Sequence, residues 1–206
     1  VLTLDGAGDG ICASVNIARG TEIEVISQTP KYHSPAAGLY SAITAHLGLK
    51  PYEHEYKVMG MAPYGQAQYS IDAIRGAFTV NGLKFRNNTG RFAAGIASYF
   101  HARLYQHRFD NICAATQLAF EELMVEWVRN AVRATGIPKV TAAGGAFLNV
   151  KANKLIREMS EVEALYVYPA SDDGGTPVGA AILGYLALCQ ERQVEPRLNL
   201  PKSMYQ

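Results

Sequence analysis

The sequence has little of several features that mark common protein classes. Its three cysteines, Cys12, Cys113 and Cys189, are odd in number and far apart. They therefore match neither a disulfide framework nor a zinc-binding cluster, and they favour a reducing, cytoplasmic setting. The formal net charge is +1, from 19 Lys and Arg against 18 Asp and Glu. This balance gives no electrostatic case for nucleic acid or a membrane surface as a partner.

Long apolar runs and chelating histidine spacings are also lacking. The longest apolar run covers residues 176–189, well short of the roughly 20 residues that span a bilayer, and it predicts a buried helix. No two histidines stand four residues apart. No serine lies in a nucleophile-elbow motif, which argues against serine hydrolase chemistry. Val1 opens directly into an apolar strand, so we expect further residues upstream of it.

What is present is the pattern of an α/β domain. At 206 residues and 49% hydrophobic, the chain has ample material for a core, in one large domain or two small lobes. Alternating segments predict an antiparallel meander with strands at 1–4, 11–18 and 22–29. Ser34-Pro35 predicts the start of a helix, and Asn81-Gly82 predicts a hairpin turn.

The second half predicts one long helix and then a βαβα unit. The long helix covers 110–135 and stops at Gly136. The elements of the unit are a strand at 139–142, a helix at 147–159, a strand at 162–168 and a helix at 176–191. Parallel pairing follows from this alternation. We therefore expect a domain core over 1–192 and a tail or linker over 193–206.

Three glycine-rich turns follow predicted strands: Asp5–Gly10, 143–149 and 171–176. Ligands of parallel sheets bind at the carboxyl ends of the strands, so the second and third turns are expected at one rim. Taken singly, each has a structural explanation: a hairpin turn, close strand–helix packing or a helix N-cap. Together, and with carboxylates in two of them, they indicate a nucleotide or phosphate site with hard oxygen ligands for a metal.

The string Glu55–Gly65 (EYKVMGMAPYG) is the most distinctive in the chain. Glu55 and Lys57 fit two interpretations equally. They could contact ribose hydroxyls and a phosphate, or they could be solvated residues on a surface helix.

Read together, these strings resemble one family. They are LTLDGAGDG at the start, His33-Ser34 with Gly38-Leu39-Tyr40, the Glu55–Gly65 string, GGAFLNVKAN at 144–153 and SDDGG at 171–175. This set is similar to the O-carbamoyltransferases of the nodulation-protein (NodU) and antibiotic-tailoring type. The resemblance covers nearly the whole chain, and the Glu55–Gly65 string is its most specific part.

The resemblance implies an actin-like ATPase (ribonuclease H-like) fold with helices on the sheet faces, incomplete here at the N-terminus. It implies carbamoyl transfer from carbamoyl-adenylate to a hydroxyl of a sugar or natural product. A YrdC-like domain of the same full-length chain would make the adenylate from ATP and carbamoyl phosphate. An iron-type divalent metal would be held by a His-x-x-x-His pair and carboxylates.

The resemblance also implies roles for particular residues. Asp5 and Asp172 would be metal ligands and, with Lys57, catalytic. The remaining residues would bind the nucleotide. Its phosphate side would be lined by Gly6, Gly8, Asp9 and Gly10. Its nucleoside and phosphate would be held by Glu55, Lys57, Gly144, Gly145 and Asn149.

This sequence departs from the family pattern in two places. It contains neither the His-x-x-x-His pair, expected upstream of Val1, nor a YrdC-like domain, expected after the tail. We therefore expect this chain to be inactive alone, and a homodimer is left open. Two alternatives remain: a nucleotide-dependent ATPase or kinase-like module, and a nucleotide-binding fragment without catalysis.

Overall fold

The computed structural model describes residues 1–197 of the chain. Its main sheet has five strands in the order β3-β2-β1-β6-β7, and a separate hairpin is formed by β4 and β5. The strands are β1 (Leu2–Gly8), β2 (Ile11–Arg19), β3 (Glu22–Pro30), β4 (Phe78–Asn81), β5 (Lys84–Asn87), β6 (Lys139–Ala143) and β7 (Ala164–Val167). The helices are α1 (Ala42–His46), α2 (Glu55–Met61), α3 (Ile71–Ile74), α4 (Ala94–Arg103), α5 (Phe109–Thr135), α6 (Val150–Arg157) and α7 (Thr176–Glu191).

The predicted meander is confirmed, and its first turn is a hairpin. β1 pairs antiparallel with β2, and β2 with β3. Asp9 and Gly10 connect the first pair with φ angles of +50° and +85°, as a two-residue hairpin turn with both central residues at positive φ requires. The same logic holds for β4 and β5, which flank the predicted Asn81-Gly82 turn.

The predicted parallel unit is also confirmed. β6 pairs parallel with both β1 and β7. The helix between β6 and β7 is shorter than predicted, because a 3₁₀ turn (Gly145–Leu148) takes up the first residues after the strand. Asn149 then caps α6 by accepting a hydrogen bond from the Ala152 N–H at 3.1 Å.

The core lies against one face of the sheet. Leu2 and Leu4 of β1 sit opposite Val15 and Ala13 of β2, and all four are buried together with residues of α1 and α5. The opposite face carries polar residues such as Thr3 and Ser14, whose hydroxyl oxygens lie 2.7 Å apart. The family resemblance implies helices on the sheet faces. On the polar face, within residues 1–197, Thr141 and Tyr166 remain exposed, so no described helix covers that part of the sheet.

The long helix α5 is the main packing partner of the smaller elements. It runs over 27 residues to Thr135. Gly136 follows with a φ of +68° and forms the left-handed cap that the sequence predicts. Trp127 is fully buried at its centre, where its indole N–H donates to the Leu83 carbonyl at 2.9 Å. This bond fixes the β4–β5 hairpin to the helix.

The prediction that the apolar run 176–189 is buried is wrong for residues 1–197. The run does form a helix, α7, but Cys189 is its only buried residue. Leu183 is 67% exposed, and Val178 and Leu188 are also exposed. An apolar run predicts that a helix avoids water. It cannot specify what covers the helix, and no described element does.

No helix within residues 1–197 combines the length and the apolar composition that crossing a bilayer requires.

Candidate functional site

A cavity of about 510 Å³ lies where β1, β6 and the segment after β7 meet the helices. Its volume is in the range of small-molecule binding sites. Its lining comes from six separate parts of the sequence: Asp5 and Gly6, then Ala36, Ala37, Tyr40 and Ser41, then Tyr52, Glu53, Glu55, Tyr56 and Met59, then Phe120, then Gly145, Ala146, Leu148 and Asn149, and finally Asp172 and Asp173.

Asp5 connects the first strand to the middle glycine-rich turn. One carboxylate oxygen accepts a hydrogen bond from the Gly6 N–H at 2.6 Å, and the other accepts from the Gly145 N–H at 3.0 Å. Ser34 supports the same point from the helical side, because its hydroxyl donates to the Asp5 carbonyl at 2.8 Å and accepts from the Ala37 N–H at 3.2 Å. The predicted helix start at Ser34-Pro35 is confirmed, because a π-helix (Ala36–Ser41) follows directly.

Gly144 allows the second turn to approach the first strand. Its φ is +104°, and a Cβ atom added to it would lie 2.2 Å from the Leu4 carbonyl oxygen. Its N–H donates to the Ser171 carbonyl at 2.5 Å, which joins the second turn to the third. Asp172 then caps its own turn, because a carboxylate oxygen accepts from the Gly174 N–H at 3.0 Å. The predicted meeting of the middle and last turns at one rim is confirmed.

The helix α2 separates the two residues of the distinctive string. Glu55 lines the cavity, and its carboxylate accepts from the Tyr52 N–H at 2.7 Å. Lys57 is not part of the lining, and its ammonium lies 5.8 Å from the centre of the Tyr56 ring. Residues two apart on a helix point in different directions. The structure therefore brings Glu55, and not Lys57, to the cavity.

The tip of the first hairpin is also apart from the cavity. Gly8, Asp9 and Gly10 are exposed and absent from its lining. Of the residues that the sequence assigns to the site, the cavity wall contains Asp5, Gly6, Glu55, Gly145, Asn149 and Asp172. Gly144 stands directly behind it. Ligand contacts of any of these residues stay a prediction.

A hydrogen-bonded network extends from the floor of the cavity, which Tyr40 and Asn149 line, to Gln117 and Glu121 behind it, and sequence reasoning did not anticipate it. We call it the amide network: Tyr40, Gln117, Glu121 and Asn149. The Gln117 side-chain carbonyl accepts from the Tyr40 hydroxyl at 2.7 Å and from the Asn149 amide at 3.0 Å. The Gln117 amide nitrogen donates to Asn149 at 2.9 Å and to the Glu121 carboxylate at 2.7 Å.

The environment of Tyr40 keeps its hydroxyl protonated. Burial raises the pKa of the Tyr40 phenol well above its ordinary value, and negative charge on Cys113 and Glu121 raises it further, while the adjacent Asn149 amide acts in the opposite direction. Tyr40 is 5% exposed. The phenol is therefore a neutral group in the floor. In the sequence, Tyr40 stood out only as part of the Gly38-Leu39-Tyr40 string of the family resemblance. The space beside Gly38, which has no side chain, is filled by the Phe78 ring.

The lining is acidic. Asp5, Glu53, Glu55, Asp172 and Asp173 contribute five carboxylates, and within residues 1–197 no Lys, Arg or His lines the cavity. Exposed Tyr52 and Tyr56 stand at its mouth.

The carboxylates fit part of a metal site and not a whole one. Asp5 and Asp172 line the same cavity and offer the oxygen ligands that hard cations prefer. No group of three or more His, Cys, Asp or Glu residues positioned to hold a metal occurs in the described part of the chain. Two carboxylates alone leave most of a coordination sphere unfilled.

Comparisons with known proteins identify relatives of the chain. It is 31% identical to an uncharacterized protein of Synechocystis over 88% of its own length and 32% of the relative. It is 28% identical to nodulation protein NolNO of Sinorhizobium fredii, over 89% of the chain and 27% of the relative. It is equally similar, at 28%, to nodulation protein NolO of Bradyrhizobium diazoefficiens, over 89% of the chain and 34% of the relative.

The chain thus spans about a third of the length of the curated relatives it matches. The family model described as "Carbamoyltransferase N-terminus" matches residues 1–182, which include every cavity-lining residue. This chain belongs to the carbamoyltransferase N-terminus family.

Proposed function

We propose that the chain is the donor-binding part of an O-carbamoyltransferase. In this proposal the cavity holds carbamoyl-adenylate, and the carbamoyl group passes to a hydroxyl of a sugar or another natural product. A YrdC-like domain of the full-length protein forms the adenylate from ATP and carbamoyl phosphate. The fold proposed is the actin-like ATPase fold, supported by the strand order β3-β2-β1-β6-β7 with three antiparallel and then parallel strands.

One observation carries the proposal. Three glycine-rich or acidic turns that are far apart in sequence converge on one cavity, in a chain whose family is the carbamoyltransferases. The Asp5 carboxylate holds the Gly145 N–H at 3.0 Å, so the first and second turns form one rigid wall. Glu55 of α2 lines the same cavity and supplies a carboxylate that would accept hydrogen bonds from ribose hydroxyls. Such preorganised positioning is the main contribution a protein makes to group transfer.

The reaction balances without a further reagent. The acceptor oxygen attacks the carbamoyl carbon, and the bond from that carbon to the adenylate phosphate oxygen breaks. AMP leaves, and the hydroxyl proton passes to solvent at the cavity mouth, where Asp172 is exposed. The protein's part is to align the donor and to exclude water from the buried floor.

A divalent metal of the iron type is a second part of the proposal. Asp5 and Asp172 would supply two of its oxygen ligands, and a bound metal would polarise the carbamoyl carbonyl as a Lewis acid. Within residues 1–197 no third His, Cys, Asp or Glu is positioned with them to complete a metal site. Iron binding by the full-length protein, measured by titration, is expected to weaken in Asp5→Asn and Asp172→Asn.

Carbamate formation by the full-length protein tests the proposal. ATP, carbamoyl phosphate and a panel of hydroxylated acceptors are supplied with iron, and products are detected by mass spectrometry. We expect a carbamate ester and AMP, with the rate reduced at least about 100-fold in Asp5→Asn. Asp72→Asn is the matched control, because Asp72 is exposed on α3 and does not line the cavity.

Two outcomes would contradict the proposal. ATP hydrolysis without any carbamate product would favour an ATPase or kinase-like module. Tight AMP binding without turnover would favour a nucleotide-binding fragment.

A further inference from the structure

Hydrogen bonding fixes the orientation of every member of the amide network. A carboxylate only accepts hydrogen bonds, so Glu121 requires the nitrogen end of the Gln117 amide to face it, at 2.7 Å. The Asn149 oxygen is fixed independently, because it accepts from the Ala152 N–H at the start of α6. The two amides then bond reciprocally at 2.9 and 3.0 Å. Rotating either amide by 180° would place its oxygen against the other amide's oxygen, and its nitrogen against the other amide's nitrogen.

This orientation decides what Tyr40 offers to the cavity. The carbonyl oxygen of Gln117 faces the Tyr40 hydroxyl at 2.7 Å, so the single phenolic hydrogen is donated inward, away from any ligand. A phenol has one hydrogen to donate and also accepts through its oxygen lone pairs. Tyr40 is one of the residues that line the cavity, so a ligand that reaches its hydroxyl would meet only an acceptor.

We infer that Tyr40 is a specificity-determining residue that accepts a hydrogen bond from a planar amino group of the donor, with Gln117 and Glu121 as its positioning residues. This inference rests on the proposed function. An amino group attached to an sp² carbon is chiefly a donor, which suits an acceptor held in a buried floor. Carbamoyl-adenylate carries two such groups, one on the carbamoyl carbon and one on the adenine ring.

Binding of stable donor analogues to the full-length protein separates these two sources. The probes are sulfamoyl-linked adenylate analogues, measured by calorimetry. The first ends in a carbamoyl group on adenosine. The second ends in acetyl, which replaces the carbamoyl amino group by methyl. The third keeps the carbamoyl group but carries inosine, which replaces the adenine amino group by an oxo group. We expect the first probe to bind about three- to tenfold more tightly than one of the other two.

Conservative variants assign that preference to Tyr40. We define the preference as the ratio of the affinity of the first probe to that of the more weakly bound of the other two. Tyr40→Phe keeps the ring, which packs on Phe120 with centroids 5.1 Å apart. It is expected to reduce the preference to near one. Thr44→Val is the matched control. It also removes a fully buried hydroxyl one turn along, bonded to the Tyr40 backbone carbonyl at 2.9 Å, but outside the cavity. Its preference should equal that of the wild type.

Glu121 variants test positioning. Glu121→Gln retains an oxygen that accepts from Gln117, so the preference should persist. Glu121→Ala removes one of the two acceptors that orient the Gln117 amide nitrogen and leaves only Asn149, so the preference should fall part of the way toward one.

The possible results are distinguishable. If the wild type binds the carbamoyl-adenosine probe with no preference over either relative, or if folded Tyr40→Phe keeps the full preference, the inference is overturned and the proposed function stands. If the wild type binds none of the three probes, donor binding itself is refuted, and the inference falls with the proposed function.

Discussion

Replacing Gly144 with alanine is expected to destabilise the chain through two separable effects. First, φ at Gly144 is +104°, and holding an L residue in such a conformation costs about 1–3 kcal/mol. Second, the new Cβ would lie 2.2 Å from the oxygen and 2.6 Å from the carbon of the Leu4 carbonyl. These atoms belong to the backbone of β1, the central strand of the sheet, so they cannot turn aside as a side chain would.

The two effects together give the magnitude. Relieving the overlap requires a shift of the turn after β6 away from β1, which also pulls the Gly145 N–H from Asp5. We expect a loss of about 4 kcal/mol in the free energy of unfolding, which is exceptional for a single substitution. For a chain of this size that loss corresponds to a Tm lower by roughly 8–16 °C. Urea and thermal unfolding measure both quantities.

Two further glycine variants separate the contributions. Gly10→Ala has a positive φ of +85° and open space around the new Cβ, so it isolates the conformational cost of about 1–3 kcal/mol. Gly60→Ala, in α2, has neither problem and is expected to stabilise the chain by about 0.5–1 kcal/mol. If Gly144→Ala costs no more than Gly10→Ala, the close approach of the second turn to β1 is refuted.

Three further predictions concern the core, pH and charge. Trp127→Ala should lower the free energy of unfolding, measured in urea, by about 3–5 kcal/mol. Trp127→Phe, which keeps an aromatic ring, should lower it by less. A loss under about 1 kcal/mol in the alanine variant would contradict the packing of Trp127. Burial raises the pKa of the Cys12 thiol from 9.0 to about 12, so the folded chain holds this proton more tightly than the unfolded chain. The free energy of unfolding should therefore fall as pH rises from 9.0 toward about 12, because the unfolded chain loses the Cys12 proton first. It should fall less in Cys12→Ala over the same pH range. Equal slopes in the two proteins would refute the raised pKa of Cys12. AMP should bind more tightly with Mg²⁺ than in EDTA by calorimetry, and equal affinities would refute the expectation that a cation joins the phosphate to the lining carboxylates.

Local chemistry explains which parts of the fold are predictable from the sequence. Asp9-Gly10, Asn81-Gly82 and Gly136 each require positive φ at a defined position, so the turns and the end of α5 follow from a few neighbouring residues. The parallel pairing of β6 and β7 follows from the βαβ alternation, because a crossover helix leaves few other arrangements.

Contacts between distant residues explain what the sequence did not predict. Tyr40 and Gln117 are 77 residues apart, and neither stands in a pattern that indicates a hydrogen bond to the other. The exposure of α7 was missed for a related reason: apolar composition describes one helix, whereas burial depends on a second surface. The separation of Glu55 from Lys57, in contrast, follows from helical geometry once a helix is assigned to that string.

That separation changes how the cavity must handle phosphate. With Lys57 in the wall, one ammonium would have offset part of the charge of the five lining carboxylates. Without it, the wall within residues 1–197 has no basic side chain. The Gly6 and Gly145 N–H groups both already donate to the Asp5 carboxylate. Carboxylates and a phosphate repel each other most strongly where water is excluded. We therefore expect the phosphate of any bound nucleotide to bring a cation with it, and the same carboxylates that would repel the bare anion are the groups that would hold that cation.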